Sequence, residues 1–372
     1  MPIASSESCG SDLTFGDSTR KMRDAMPEPR ALPGDASLYE HDVRNAADSE
    51  RATFSVPSCP VCDGTEARRR FDIDGFPHCV TVCNECGLGR LHPLPDAEAV
   101  RGYYPDEYYG EPGVKFQPLV EGLVRAVGAR HVSFLTAGLP SGARVLDVGC
   151  GRGVLLGALA DSGYEVHGIE ISEEAARGAD SRASIRIAPT VAAADYPEAY
   201  FDQVIIWHVL EHLADPRGTL DAVRRILKPG GRLIVAVPNF SSLQARVTGA
   251  AWFHLDLPRH LYHFPLAGLR ILLDRTGFEV GAAHHFSLRQ NPFGWVQSLL
   301  NKISWLPRNG LYVLLHRHRP QAEKPYTGYL RGWLWLCLAA SVPLAALLTL
   351  LETGLRSGAT VHVVANRPTS SE

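Results

Sequence analysis

From Arg144 to Phe286, short apolar runs alternate with segments of helical period. RVLDVG (144–149), EVHGIE (165–170), SIRIA (184–188), QVIIWH (203–208), RLIVAVP (232–238) and FEVGAAHHF (278–286) are apolar and largely β-branched, and predict strands. Helices are expected over 153–162, after a Ser172 cap, over 216–227 and over 265–277. That alternation predicts an α/β fold with a doubly wound parallel sheet. Leu119, Leu123, Val124 and Val127 place a further helix at 118–137, ahead of the first strand. Residues 1–52 show no sustained apolar period and are expected to form a disordered tail. Near the other end, ATVHVVANR (359–367) reads as a final strand. It is separated from the rest by 287–357, where 333–351 holds 19 consecutive uncharged, mostly apolar positions.

Composition narrows this little: 372 residues, 45% hydrophobic, with a net charge of −3, describe an ordinary globular chain and argue against nucleic acid as the main partner. Cysteine is more informative. Five of the eight lie between 59 and 86, and the opening residues lack the basic and apolar stretches of a secretory signal. The expected compartment is the cytoplasm, where clustered thiols favour metal over disulfides. Cys59-x2-Cys62 and Cys83-x2-Cys86 have paired-knuckle spacing, so four thiolates can enclose one structural zinc ion. A zinc ribbon and its connector are assigned to 53–110, with His78 and Cys79 as nearby spare donors.

The sharpest motif is Asp147-Val-Gly149-Cys150-Gly151-Arg-Gly153, directly after a strand and opening a helix. Glycines permit close backbone approach to a ligand, and a helix N-terminus offers free N–H groups. Glu170 ends the next strand, where a carboxylate suits ribose hydroxyls. Val154 breaks the nicotinamide-type glycine pattern. DVGCGRG followed by IE resembles the class I S-adenosylmethionine-dependent methyltransferases. FDQVIIWHVLEHLADP and LKPGGRLIVAVPN resemble that family's fourth and fifth strand regions. The resemblance implies a Rossmann-like methyltransferase domain at 111–286, whose last strand, within 358–372, lies antiparallel beside the fifth. It puts Asp147, Gly149, Cys150 and Gly151 around the methionine end of S-adenosylmethionine, Glu170 on the ribose, Trp207 beside the site and Asp195 near the adenine. The cysteine unit and YYPDEYY resemble the zinc ribbon preceding some methyltransferases of sugars and lipid-like molecules.

Two histidine-rich stretches follow. His208-x-x-Glu211-His212, if helical, turns three side chains to one side. His208 or His212 is a candidate base for a hydroxyl acceptor, and Glu211 with His212 a candidate divalent-metal pair. In Trp252–Phe264, Arg259 suits an anionic group, Tyr262 the acceptor, and His260 or His263 a base. The expected activity is methyl transfer to oxygen or carbon of a small or lipid-linked acceptor, such as a sugar or quinone precursor. The alternative is a non-catalytic cofactor-binding module whose ribbon recruits partners. Segment 287–357 carries eight basic residues against two acidic ones, and four of the six tryptophans. It predicts a hydrophobic helical insertion dipping into the inner face of the membrane.

Overall fold

The computed structural model describes residues 43–46, 53–104, 131–315 and 328–369. Its N-terminal part holds β1 (Val43–Asn45), β2 (Thr53–Ser55), β3 (Glu66–Ile73), β4 (Cys79–Cys83), β5 (Gly89–His92) and α1 (Ala97–Gly102). Then come β6 (Arg144–Val148), α2 (Val154–Asp161), β7 (Glu165–Glu170), α3 (Glu173–Ala176), β8 (Ser184–Ile187), β9 (Phe201–Trp207), α4 (Pro216–Ile226), β10 (Leu227–Pro238) and α5 (Leu243–Thr248). The chain ends with β11 (Tyr262–His263), α6 (Leu266–Arg275), β12 (Glu279–His284), α7 (Asn291–Leu300), α8 (Gly310–Leu315), α9 (Gly328–Gly354) and β13 (Thr360–Asn366).

Seven strands form one sheet in the order β12-β13-β10-β9-β6-β7-β8. The block from β10 to β8 is parallel, while β13 runs antiparallel between β10 and β12. Alternating positions feed two cores. Val145, Ile205 and Ile234 pack under α2 with Leu156 and Leu159, and Leu146, Val204 and Val235 face the other side. Local signals set the boundaries: Asp215 caps α4 by accepting from Gly218 N at 2.8 Å, and Pro216 occupies its first turn.

The cysteine unit is not a separate bead. β1, β3, β4 and β5 form a second sheet, with β2 beside β3, and β11 from the histidine-rich loop is added at its edge. Tyr262 pairs with Arg90 and His263 with Gly89. Arg217 on α4 fastens the same unit, donating to the Pro60 carbonyl at 2.9 Å and pairing with Asp63 at 2.9 Å. Cys59, Val61 and Leu91 share one apolar core with Leu146 and Val235.

Two expectations need correction, and a third is seen only in part. Val43–Asn45, expected within the disordered tail, pairs with Phe71–Ile73; the remainder of 1–52 lies outside the described residues. The helix expected over 118–137 is seen only at 131–136, its earlier part also being outside them. His208-x-x-Glu211-His212 is not an α-helical face. His208 has φ +55°, and only Leu210–His212 forms a single 3₁₀ turn, so the shared-face argument fails.

Candidate active site

The glycine loop leaves β6 at the carboxyl end of the sheet, where open α/β sheets bind ligands. Gly149 has φ +73°, and a Cβ there would lie 2.5 Å from Val209 Cγ2, so only glycine fits. At Gly151 a Cβ would meet nothing within 4 Å. That is open space beside a backbone N–H which donates to Glu170 Oε2 at 2.8 Å. Glu170 Oε1 accepts from Ile171 N at 2.8 Å, and a carboxylate with about four acceptor positions keeps some for a ligand. Asp147 is buried, and burial, reinforced by the charge of Glu170, pushes its carboxyl up to about 7.

The structure also places the other residues expected at the cofactor. The Cys150 side chain packs into the core under α2, where a Cβ on Gly168 would collide with its sulfur, so only its backbone can face a ligand. Burial pushes that thiol far up, which disfavours the thiolate. Trp207 ends β9 with its ring stacked on His362 at 4.5 Å and tilted against His131 at 4.9 Å. Asp195 is exposed in the turn after β8, with Arg186 donating to its carbonyl at 2.9 Å.

The two histidine stretches meet. Leu261 N donates to the Glu211 carbonyl at 2.9 Å, which brings the His260 ring within 4.6 Å of His212. One donor atom each from Glu211, His212 and His260 lies within 4.8 Å of the others. Glu211 is 1% exposed. Burial raises its carboxyl, but the His208 contact at 3.3 Å and the nearby charges of His212, His208 and His260 outweigh that and hold it at about 2. His260 places Nδ1 2.9 Å from the His254 carbonyl, and burial, reinforced by His212, lowers it to about 4. His212 is half-buried, with Nδ1 2.7 Å from Tyr104 Oη and 3.1 Å from the Arg259 carbonyl.

Three members of the later cluster do other work. Arg259 is 2% exposed, and its guanidinium clamps Asp256, so the expected anion-binding role does not fit this geometry. Tyr262 is buried and donates to the Ala214 carbonyl at 3.0 Å, which occupies the hydroxyl expected at the acceptor. His263 is buried in β11 against Phe240, and burial lowers it to about 3. Tyr104 was absent from the sequence candidates. It lies 108 residues before its partner His212, and nothing local distinguishes it from its tyrosine neighbours.

At the cysteine unit, Cys59 and Cys86 sulfurs are 3.5 Å apart, as are those of Cys62 and Cys83, and all four lie within 4.8 Å of one another. Tetrahedral zinc with bonds of ~2.3 Å separates its sulfurs by about 3.8 Å, so the donor set fits. His78 is turned away, its Nδ1 2.8 Å from the Pro93 carbonyl.

A parallel sheet with one antiparallel strand beside the fifth, and an acidic glycine loop facing a strand-end glutamate, define a cofactor-binding methyltransferase architecture. A family model described as "Methyltransferase domain" matches residues 123–283. A ubiquinone biosynthesis O-methyltransferase of Thiobacillus denitrificans is 35% identical over 164 residues, 41% of this chain and 68% of the relative. One of the same name from Xylella fastidiosa is 34% identical over 152 residues, 38% of this chain and 61% of the relative. The chain thus spans about two-thirds or less of the length of these relatives. A solved S-adenosylmethionine-dependent methyltransferase from Archaeoglobus fulgidus is 19% identical, covering 66% of this chain and 93% of that one, with a TM-score of 0.41, too weak a likeness to bear on activity. The chain belongs to the S-adenosylmethionine-dependent methyltransferases.

Proposed function

We propose that this protein transfers a methyl group from S-adenosylmethionine to a hydroxyl oxygen of a quinone precursor or a similar small or lipid-linked acceptor. The observation that carries the reading is the meeting of Glu211, His212 and His260 just after β9, where Val209 lies against Gly149 of the glycine loop. A partner-recruiting module that merely binds cofactor has no use for this buried histidine and carboxylate array.

The cofactor brings a methyl group on an electrophilic sulfonium, so alignment contributes more to the rate than acid–base help. Gly149 and Gly151 would shape the cradle for its methionine end, and Glu170 would accept from the ribose hydroxyls. His212 Nε2 would take the acceptor's hydroxyl proton as the oxygen gained the methyl group and the S–CH3 bond broke, leaving the neutral thioether S-adenosylhomocysteine. In that tautomer the Nδ1 proton is held by Tyr104 Oη and the Arg259 carbonyl oxygen, which leaves the Nε2 lone pair available. The ionised Glu211 favours the imidazolium that results. The four cysteines hold one structural zinc ion and, through β5, brace β11 and the adjacent His260.

In an assay with hydroxylated benzenoid quinone precursors, His212→Ala is expected to lower turnover about 100-fold or more. Its affinity for S-adenosylhomocysteine should stay within twofold of wild type. The convergent donors also favour a second reading, a divalent cation held by Glu211, His212 and His260 that acidifies the hydroxyl. Full activity after treatment with a chelator that leaves the cysteine-bound zinc in place would select the base; loss restored by magnesium or manganese would select the cation.

Asp147 yields a pH dependence. A buried carboxyl raised from near 4 to about 7 stabilises the empty fold while protonated, and that contribution is lost as pH rises through this window. A ligand ammonium beside it requires the ionised form. Affinity for S-adenosylhomocysteine should therefore tighten towards pH 8, by about tenfold per unit below pH 7. Calorimetry from pH 5.5 to 8.5 tests this, and a flat profile would remove Asp147 from the amino-group contact.

A further inference from the structure

The described surface has one large apolar feature that the methyl-transfer site does not use. α9 is 27 residues long, about 40 Å at helical rise, and long and apolar enough to span a bilayer. Only Leu334, Ala345, Thr349 and Glu352 are buried, and at about 100° per residue they cluster on one narrow face. That face packs along α7 and α8, against Trp295, Leu311 and Leu314. The rest sweeps roughly 200° of circumference without a charge from Trp335 to Leu351. Leu336, Leu347 and Leu350 are each more than 60% exposed.

We infer that α9 is a monotopic anchor, lying half-embedded in one leaflet of an anionic lipid bilayer. The width of the bare arc decides against a second copy, because a helix seated in a protein groove offers a stripe of about 100°. Acyl chains can surround the wider arc. Aromatic and charged residues agree. Trp305, Trp333, Trp335 and Tyr329 gather at the N-terminal end, with Trp305 and Trp333 in edge contact at 5.9 Å, as suits the headgroup boundary. Arg289, Lys302, Arg331 and Arg356 are exposed around the insertion, whereas Glu352, one of its two acidic residues, is fully buried. The excess of positive charge fits anionic headgroups. The helix does not cross. Six residues after Gly354 the chain enters β13, which is hydrogen-bonded between β10 and β12 on the same side as the rest of the sheet.

The test uses the full chain with vesicles of phosphatidylcholine alone or with 30% phosphatidylglycerol. Co-sedimentation should favour the anionic vesicles at least tenfold and weaken with salt. Leu336→Glu, Leu347→Glu and Leu350→Glu together should cut binding at least tenfold while leaving S-adenosylhomocysteine affinity unchanged. Because that variant can misfold, a second measurement on wild type stands beside it. In vesicles that keep 30% phosphatidylglycerol, phosphatidylcholine brominated high on its acyl chains should quench tryptophan emission, less so in Trp335→Phe. No sedimentation with either vesicle, or no quenching, would overturn the anchor. So would a lipid-free dimer that the triple substitution converts to monomer, since a second copy would then cover the face. Neither result depends on the methyl acceptor, so the anchor and the catalytic reading fail separately.

Discussion

A Gly151→Val variant is expected to lose S-adenosylhomocysteine binding at least 100-fold while melting within a few degrees of wild type. The position separates ligand from fold. A Cβ there meets nothing within 4 Å, so the added side chain displaces no neighbour. The cost to the empty protein is the backbone's, since φ is +49°, about 1–2 kcal/mol for an L residue. In the liganded protein the same branched side chain fills the cradle beside the N–H that joins Gly151 to Glu170. Gly149 is a poor choice for this experiment. There a Cβ would stand 2.5 Å from Val209, so alanine damages packing and ligand contact together. Wild-type calorimetric affinity in Gly151→Val would move the cofactor away from this loop and withdraw the assigned activity.

Cys83→Ser should give the second large effect: loss of the bound zinc, expected at about one per chain in the wild type, and a fall in melting temperature of about 10 °C or more. One missing thiolate opens a tetrahedral site whose binding energy is largely folding energy. The damage should not stop at the metal. Cys83 ends β4, β4 pairs with β5, and β5 carries β11 of the histidine loop, so turnover should fall with zinc content. Cys337→Ser, on α9 and far from the cluster, should keep both zinc and activity. Metal analysis and melting curves of the two variants side by side decide the matter; full zinc content in Cys83→Ser would place the ion elsewhere.

The strands and the glycine loop were readable because they are local. β6, β7, β9 and β10 announce themselves in runs such as VIIW and LIVAV, and the loop's glycines sit where a strand must turn into a helix. The four-cysteine set was readable for the same reason, through spacing alone. The histidines were not. Both stretches could be singled out, but their meeting depends on Leu261 N reaching the Glu211 carbonyl, a contact with no signature in either segment. The helical reading of His208-x-x-Glu211-His212 failed because His208 takes a left-handed conformation, which sequence spacing does not reveal. Arg259 looked like a ligand clamp until Asp256, three residues before it, proved to be its partner. Tyr104 could not have been chosen over its neighbours without knowing where His212 lies.

The β5–β11 pairing also bears on how the chain is made. Arg90 and Tyr262 lie about 170 residues apart, so the first sheet stays incomplete during synthesis until much of the second has emerged from the ribosome. Until then β5 presents an open edge of unpaired N–H and C=O groups, a template for wrong partners. Expressed alone, the cysteine-bearing segment keeps that edge bare, and it should aggregate more readily than the full chain even when zinc is supplied.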